Sequence, residues 1–128
     1  MNGTSNLAAT SPQSASARSM PLLPFAYYDR DADCIRVQLA DGEGTERSLN
    51  PFLSILRRES TPLREPIGFC IIDVRALFER LAMPFSGNHR LSDLFDLLLD
   101  LYPDAAVERV RLYFRKTLHE SGLQVALG

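Results

Sequence analysis

The chain has 128 residues, a hydrophobic share of 45% and a formal charge of -2, the profile of one soluble globular domain of ordinary apolarity. No uninterrupted apolar run approaches the roughly 18–20 residues that span a bilayer, so membrane insertion is not expected. A nearly balanced charge gives no global electrostatic argument for nucleic acid or an anionic membrane.

Residues 1–20 differ from the rest. They hold five Ser, four Ala and two Thr, with Arg18 as the one charged side chain and no aromatic residue. Such a stretch buries too little apolar surface to offset the entropy of ordering it, and it lacks the apolar core of a secretory signal. A disordered tail over 1–20 followed by one domain over 21–128 is expected, in the cytoplasm. Cys34 and Cys70 sit inside apolar runs and read as reduced, buried thiols.

Phe25 to Tyr28 opens the first strand, and Asp29-Arg30-Asp31-Ala32-Asp33 reads as a turn because Asp side chains accept local backbone hydrogen bonds. Cys34 to Ala40 alternates, with Cys34, Arg36 and Gln38 on one face and Ile35, Val37 and Leu39 on the other. Asp41-Gly42-Glu43-Gly44 signals a hairpin into a return strand from Thr45 to Leu49. Asn50-Pro51 interrupts it, since Pro offers no donor to a ladder, and extended structure resumes from Phe52 to Arg57. After a polar loop (Glu59-Ser60-Thr61-Pro62), the densely apolar run from Ile67 to Ile72 reads as the central strand. The pattern is an antiparallel meander.

Asp73 is placed to cap a helix from Val74 to Ala82 on which Leu77, Phe78 and Leu81 share a face. Pro84 and Gly87 end it. A second helix runs from Leu91 to Tyr102. Pro103-Asp104 stops it. The segment 107–118 fits two patterns. Val107, Val110, Phe114 and Leu118 make a helical stripe, whereas Val110, Leu112 and Phe114 alternate with Arg109, Arg111, Tyr113 and Arg115 as in a strand. The Glu120-Ser121-Gly122 turn and the run Leu123 to Leu127 favour a C-terminal β-hairpin. The fold class is therefore α+β: an antiparallel β-meander with two helices packed on one face, a C-terminal hairpin and a disordered N-terminal tail.

The stretch Tyr27-Tyr28-Asp29 through Ala32-Asp33-Cys34 to Leu39, with Ile67-Gly68-Phe69-Cys70-Ile71-Ile72-Asp73, resembles a small bacterial family known as domain of unknown function 2283. The resemblance covers about residues 25–80 and implies a fold, with no activity to carry over. The segment 50–66 is longer and more basic than that family's pattern, and residues 91–128 lie outside it.

Few constellations point to chemistry. Asp29, Asp31 and Asp33 copy the start of a calcium loop, but Cys34 stands where Gly is needed and Ala40 where a bidentate Glu belongs. His89 and His119 form no close ligand pair with each other or with a cysteine. Ser86, His89 and Asp93 lack the glycines of a nucleophile elbow. Asp93, Asp96 and Asp100 read as a solvated helix face. No catalytic residue, cofactor or metal is assigned, and the chain reads as non-enzymatic.

Two surfaces remain. A helix as apolar as Leu91–Tyr102 is normally buried on more than one side, and so small a domain has limited interior for it. It reads either as a central helix packed between the sheet and a neighbouring helix or, as its functional reading, as the contact with a protein partner or a second copy. Leu94, Leu98 and Leu101 are its core, with Phe85 and Tyr102 as aromatic anchors. The expected function is a protein-interaction module, either a homo-oligomer or an accessory subunit of a larger assembly. The alternative is a nucleic-acid module: Arg109, Arg111 and Arg115 on one strand face with Tyr113 would contact single-stranded RNA or DNA, extended by Arg57, Arg58 and Arg64.

Overall fold

The computed structural model describes residues 23–59 and 64–128; the expected tail over 1–20 and most of the polar loop after Glu59 lie outside them. The elements in chain order are β1 (Phe25–Asp29), β2 (Cys34–Gln38), β3 (Gly44–Asn50), β4 (Leu53–Arg58), β5 (Pro66–Ile72), α1 (Val74–Arg80), β6 (Gly87–Arg90), α2 (Leu91–Leu101), α3 (Ala105–Ser121) and β7 (Gln124–Leu127). The fold is α+β, as the sequence pattern implies. A five-stranded antiparallel sheet has the order β1-β2-β5-β4-β3, and β6 and β7 form a separate two-stranded sheet.

The first turn forms as expected. The Asp29 carboxylate accepts from the backbone N–H groups of Asp31 and Ala32 at 3.1 and 3.2 Å, and β1 folds back on β2 with Phe25 opposite Gln38. The expected β2–β3 hairpin does not form. Gly42 turns the chain at φ 109, but residues 39–43 then cross the ends of β5 and β4. Leu39 N–H donates to the Ile67 carbonyl at 2.8 Å, and Glu59 N–H to that of Glu43 at 3.3 Å. β5 takes the central place, between β2 and β4, because residues 67–71 are buried on both faces. β3 carries exposed Thr45, Glu46, Arg47 and Ser48 and goes to an edge, where charge discourages further pairing. The result is a Greek-key arrangement of β2 to β5. Gly68 is required at the β2–β5 contact, since a Cβ there would lie 2.2 Å from the Val37 carbonyl oxygen.

Ile35, Val37, Leu53, Ile55, Phe69 and Ile71 form the sheet's inner face and share one apolar cluster with all three helices and β7. Its centre is aromatic, with Phe69 packed 4.9 Å from Phe95 of α2 and 5.6 Å from Phe114 of α3. α1 starts where expected, but not by the expected device. Asp73 sits in a left-handed conformation (φ 51) and makes no side-chain cap. Both carboxylate oxygens of Asp33 instead accept the Arg75 N–H at 3.3 Å, its carbonyl accepts the Val74 N–H at 3.2 Å, and Oδ1 also accepts the Tyr28 hydroxyl at 2.6 Å.

Residues 107–118 are helical, correcting the expected strand. Asp104 caps α3 by accepting from Ala106 and Val107 N–H at 2.8 and 3.0 Å, and Gly122 ends it at φ 60. A cap residue before the apolar stripe and a left-handed glycine after it are the signals that decide between the two periods. β7 keeps its strand character but pairs with β6, Gly87 opposite Leu127 and Arg90 opposite Gln124.

Candidate functional site

Two of the three leucines at the core of the expected α2 contact are enclosed. Leu94 is 1% exposed and Leu98 0% within the lone chain, so neither side chain is available to a partner. Leu101 and Tyr102 are half-buried against the same core, and Phe85 likewise. The two aromatic residues pack inward: Tyr102 stands 5.8 Å from Phe52, and Phe85 stands 5.3 Å from Tyr28 and 5.7 Å from Phe78. The excess apolar surface of α2 is absorbed because the helix packs against both the sheet and α3, with Leu91, Leu94, Phe95, Leu98 and Leu99 all enclosed.

Helical rather than extended geometry divides the expected basic patch. At about 100° per residue, Arg109 and Tyr113 share one flank of α3, whereas Arg111 and Arg115 lie on the other. Arg111 is held by Asp96 at 3.5 Å and Glu108 at 3.6 Å, and Arg111 and Arg115 line a small cavity of about 60 Å³ against α2.

Arg109 instead meets arginines that the chain brings from far away. α3 packs over the middle of the sheet through Phe114, leaving the inner face of β3 and the end of β4 uncovered. Thr45, Arg47 and Leu49 alternate onto that face, and the register sets Thr45 opposite Arg57 and Arg47 opposite Ile55. The overhang and α3 enclose a groove of about 480 Å³ lined by Arg47, Arg57, Arg58, Arg64 and Arg109, with Ile55 and Leu49 beneath. Ile55 is fully buried and gives the groove an apolar floor. Ala106, the smallest side chain on this flank of α3, leaves the groove open. A second chamber of about 330 Å³ shares Leu49, Arg57, Ala106 and Arg109 with the first and adds Pro66 and Tyr113. Tyr113 is 57% exposed.

The charge here is unbalanced. Glu59 is the one acid lining the first chamber. Asp41 stands 3.5 Å from Arg58, but among the described residues no carboxylate lies within ion-pair distance of Arg47, Arg57, Arg64 or Arg109. Arg57 is oriented by donating to the Arg64 carbonyl at 3.3 Å, and the buried Nε of Arg58 has no partner among the described residues. Arginine forks with spare donors around a concave floor can bind a planar or tetrahedral oxyanion bidentately. Arg57, Arg58 and Arg64 are legible in the sequence as possible extensions of a basic patch. Arg47 is not; its one signal is an arginine placed with Leu49 on the inner face of an edge strand.

The other candidate residues are structural. Cys34 and Cys70 are free and buried. Cys70 faces outward from the sheet, where its thiol donates to Glu46 Oε2 at 2.7 Å and Arg36 spans Asp29 and Glu46 at 3.5 and 3.7 Å. Burial, then the Glu46 hydrogen bond, pushes the Cys70 thiol up to about 12, and burial also raises Cys34. Thiols held protonated in this way are poor nucleophiles. His89 lies in β6, edge-on to Phe78 at 5.2 Å, and His119 lies on α3. Asp93, Asp96 and Asp100 are exposed on α2. Among the described residues no three His, Cys, Asp or Glu side chains stand together as a metal site, and no helix is long and apolar enough to cross a membrane. No family model, curated protein or solved structure matches the chain.

Proposed function

We propose that the protein is a small binding module for single-stranded nucleic acid, held in the arginine groove between the β3–β4 edge and α3. The observation that carries this reading is the convergence of Arg47, Arg57, Arg64 and Arg109, none of them paired to a carboxylate, around a chamber adjoining the exposed Tyr113 ring. The chain has 16 acidic side chains, yet one, Glu59, lines this chamber. Crowding like charges is unfavourable in the free protein and becomes favourable when an anion enters. Phosphates suit arginine forks, and a flat aromatic face beside them suits a base of a single strand. The reading in which α2 contacts a protein partner loses its support with the enclosure of Leu94 and Leu98.

The test is fluorescence anisotropy with internally labelled, hydroxyl-ended RNA and DNA 12-mers at low ionic strength. Binding weakened by Arg57→Ala with Arg109→Ala, and by Tyr113→Ala, supports the proposal. Absence of any salt-sensitive binding overturns it. Equal displacement of the oligonucleotide by polyglutamate of the same charge also overturns it, assigning the groove to an acidic protein segment.

A further inference from the structure

Resting on that reading, we infer that the groove recognises the phosphorylated end of a strand, a terminal phosphomonoester with its own nucleotide, and not an internal run. The inference starts from size. The first chamber, at about 480 Å³, and the second, at about 330 Å³, are each within or near the scale of a small-molecule pocket. Arg57 and Arg109 line both chambers. The first chamber gathers the other arginines around these two, and the second sets Tyr113, the single aromatic ring lining either, beside them. A single stacking face beside a single cationic cup takes one base and the phosphate attached to it.

Charge density then separates an end from an interior. With Arg58 neutralised by Asp41, the four remaining guanidiniums face one carboxylate, that of Glu59, leaving three unmatched positive charges. An internal phosphodiester in the cup supplies one negative charge through two free oxygens. A terminal monoester supplies about 1.5 to 2 charges at pH 7 through three acceptor oxygens, its second ionisation falling near pH 6. Arg57 is held by its bond to the Arg64 carbonyl, and Arg47, Arg64 and Arg109 have no carboxylate partner among the described residues, so the third oxygen finds guanidinium donors that a diester leaves unused. Ile55 and Leu49 give the groove an apolar floor, and an apolar surface beside charge-assisted bonds strengthens them.

The experiment compares three internally labelled 12-mers of one sequence, as RNA and as DNA: 5′-phosphate, 3′-phosphate, and hydroxyl at both ends. At pH 7.5 one of the phosphorylated strands is expected to bind at least ten-fold more tightly than the hydroxyl-ended strand. That advantage shrinks at pH 5.5, where the monoester carries about one charge. Arg57→Gln removes the advantage, while Arg115→Ala, on the opposite flank of α3, preserves it; circular dichroism and a urea melt establish that both variants are folded. Equal affinity for all three strands overturns end recognition and leaves single-strand binding standing. Loss of binding for all three overturns both. A preference that persists unchanged at pH 5.5 or in Arg57→Gln overturns the assignment of the monoester to this groove.

Discussion

The salt dependence of binding follows from the number of phosphates that the free guanidiniums neutralise. Each phosphate neutralised on a single strand contributes about -0.7 to the slope of log K against log salt. Arg47, Arg57, Arg64 and Arg109, the four unpaired cations of the groove, converge on one internal phosphate of a hydroxyl-ended strand and give a slope of about -0.7. Raising salt from 50 to 200 mM then weakens binding by about 2.6-fold. Replacing Arg57 and Arg109 by alanine removes half of those cations and brings the slope toward zero.

Anisotropy titrations of a hydroxyl-ended strand at four salt concentrations measure both slopes. Arg111→Ala is the control for the α3 half of that change: it removes one formal charge from the helix, as Arg109→Ala does, but from the flank where Arg111 is already held by Asp96 and Glu108, so its slope stays at the wild-type value. A slope equally reduced by Arg111→Ala would refute the groove, because it would show that total charge, not convergence, sets the affinity. So would a double variant whose slope matches the wild type.

Leu98→Ala is expected to lower stability in urea melts by about 2–5 kcal/mol, because the side chain is fully enclosed, with no change in solution mass by light scattering; a fall in mass at unchanged stability would return α2 to an interface. Asp33→Ala costs about 2 kcal/mol, from a lost helix cap and a lost Tyr28 hydroxyl bond. Asp73→Asn, which tolerates the left-handed backbone and loses no cap, stays within about 0.5 kcal/mol; the reverse order in thermal melts would move the cap back to Asp73. The raised Cys70 thiol, at about 12 against an ordinary 9.0, stays protonated in the fold at a pH where the unfolded thiol ionises. Its contribution is fully present below pH 9 and falls by at most about 1.4 kcal/mol per pH unit as pH rises toward 12. Cys70→Ser flattens that alkaline limb in pH-dependent denaturation, and an unaltered limb would assign it to other groups such as Tyr28.

What the sequence discloses is local, and what it conceals is long-range. Alternation from Cys34 to Gln38 and the apolar density of Ile67–Ile72 locate two strands and identify the central one, since period and burial on both faces are written residue by residue. The neighbour of β2 is not written that way. The turn at Gly42 is real, but whether it closes a hairpin depends on β5 competing for the β2 edge, and β5 begins more than twenty residues later. Asp33 and Asp73 show the same limit. Both precede α1 in sequence or in space, and Asp73 has the expected position, yet the carboxylate that reaches the Arg75 N–H is 42 residues away. In 107–118 the two periods coincide on Val110 and Phe114, so the side chains alone leave the choice open. Asp104 and Gly122, outside the disputed stretch, settle it.

The groove is hidden by the same principle, applied to charge. A formal charge of -2 averages over a surface on which acids and arginines are sorted by the topology. Arg36, Arg58 and Arg111 each meet a carboxylate within 4 Å, and those acids come from turns, strand edges and α2. The β3–β4 overhang receives arginines from β3, β4, the approach to β5 and α3, but only one acid. Had 107–118 been a strand, Arg109, Arg111 and Arg115 would have made a flat patch with Tyr113 among them. As a helix, the segment gives up two of those arginines and places Arg109 and Tyr113 across from Arg47 and Arg57. The exchange replaces a flat surface by a concave one, and concavity is what lets several guanidiniums reach one phosphate.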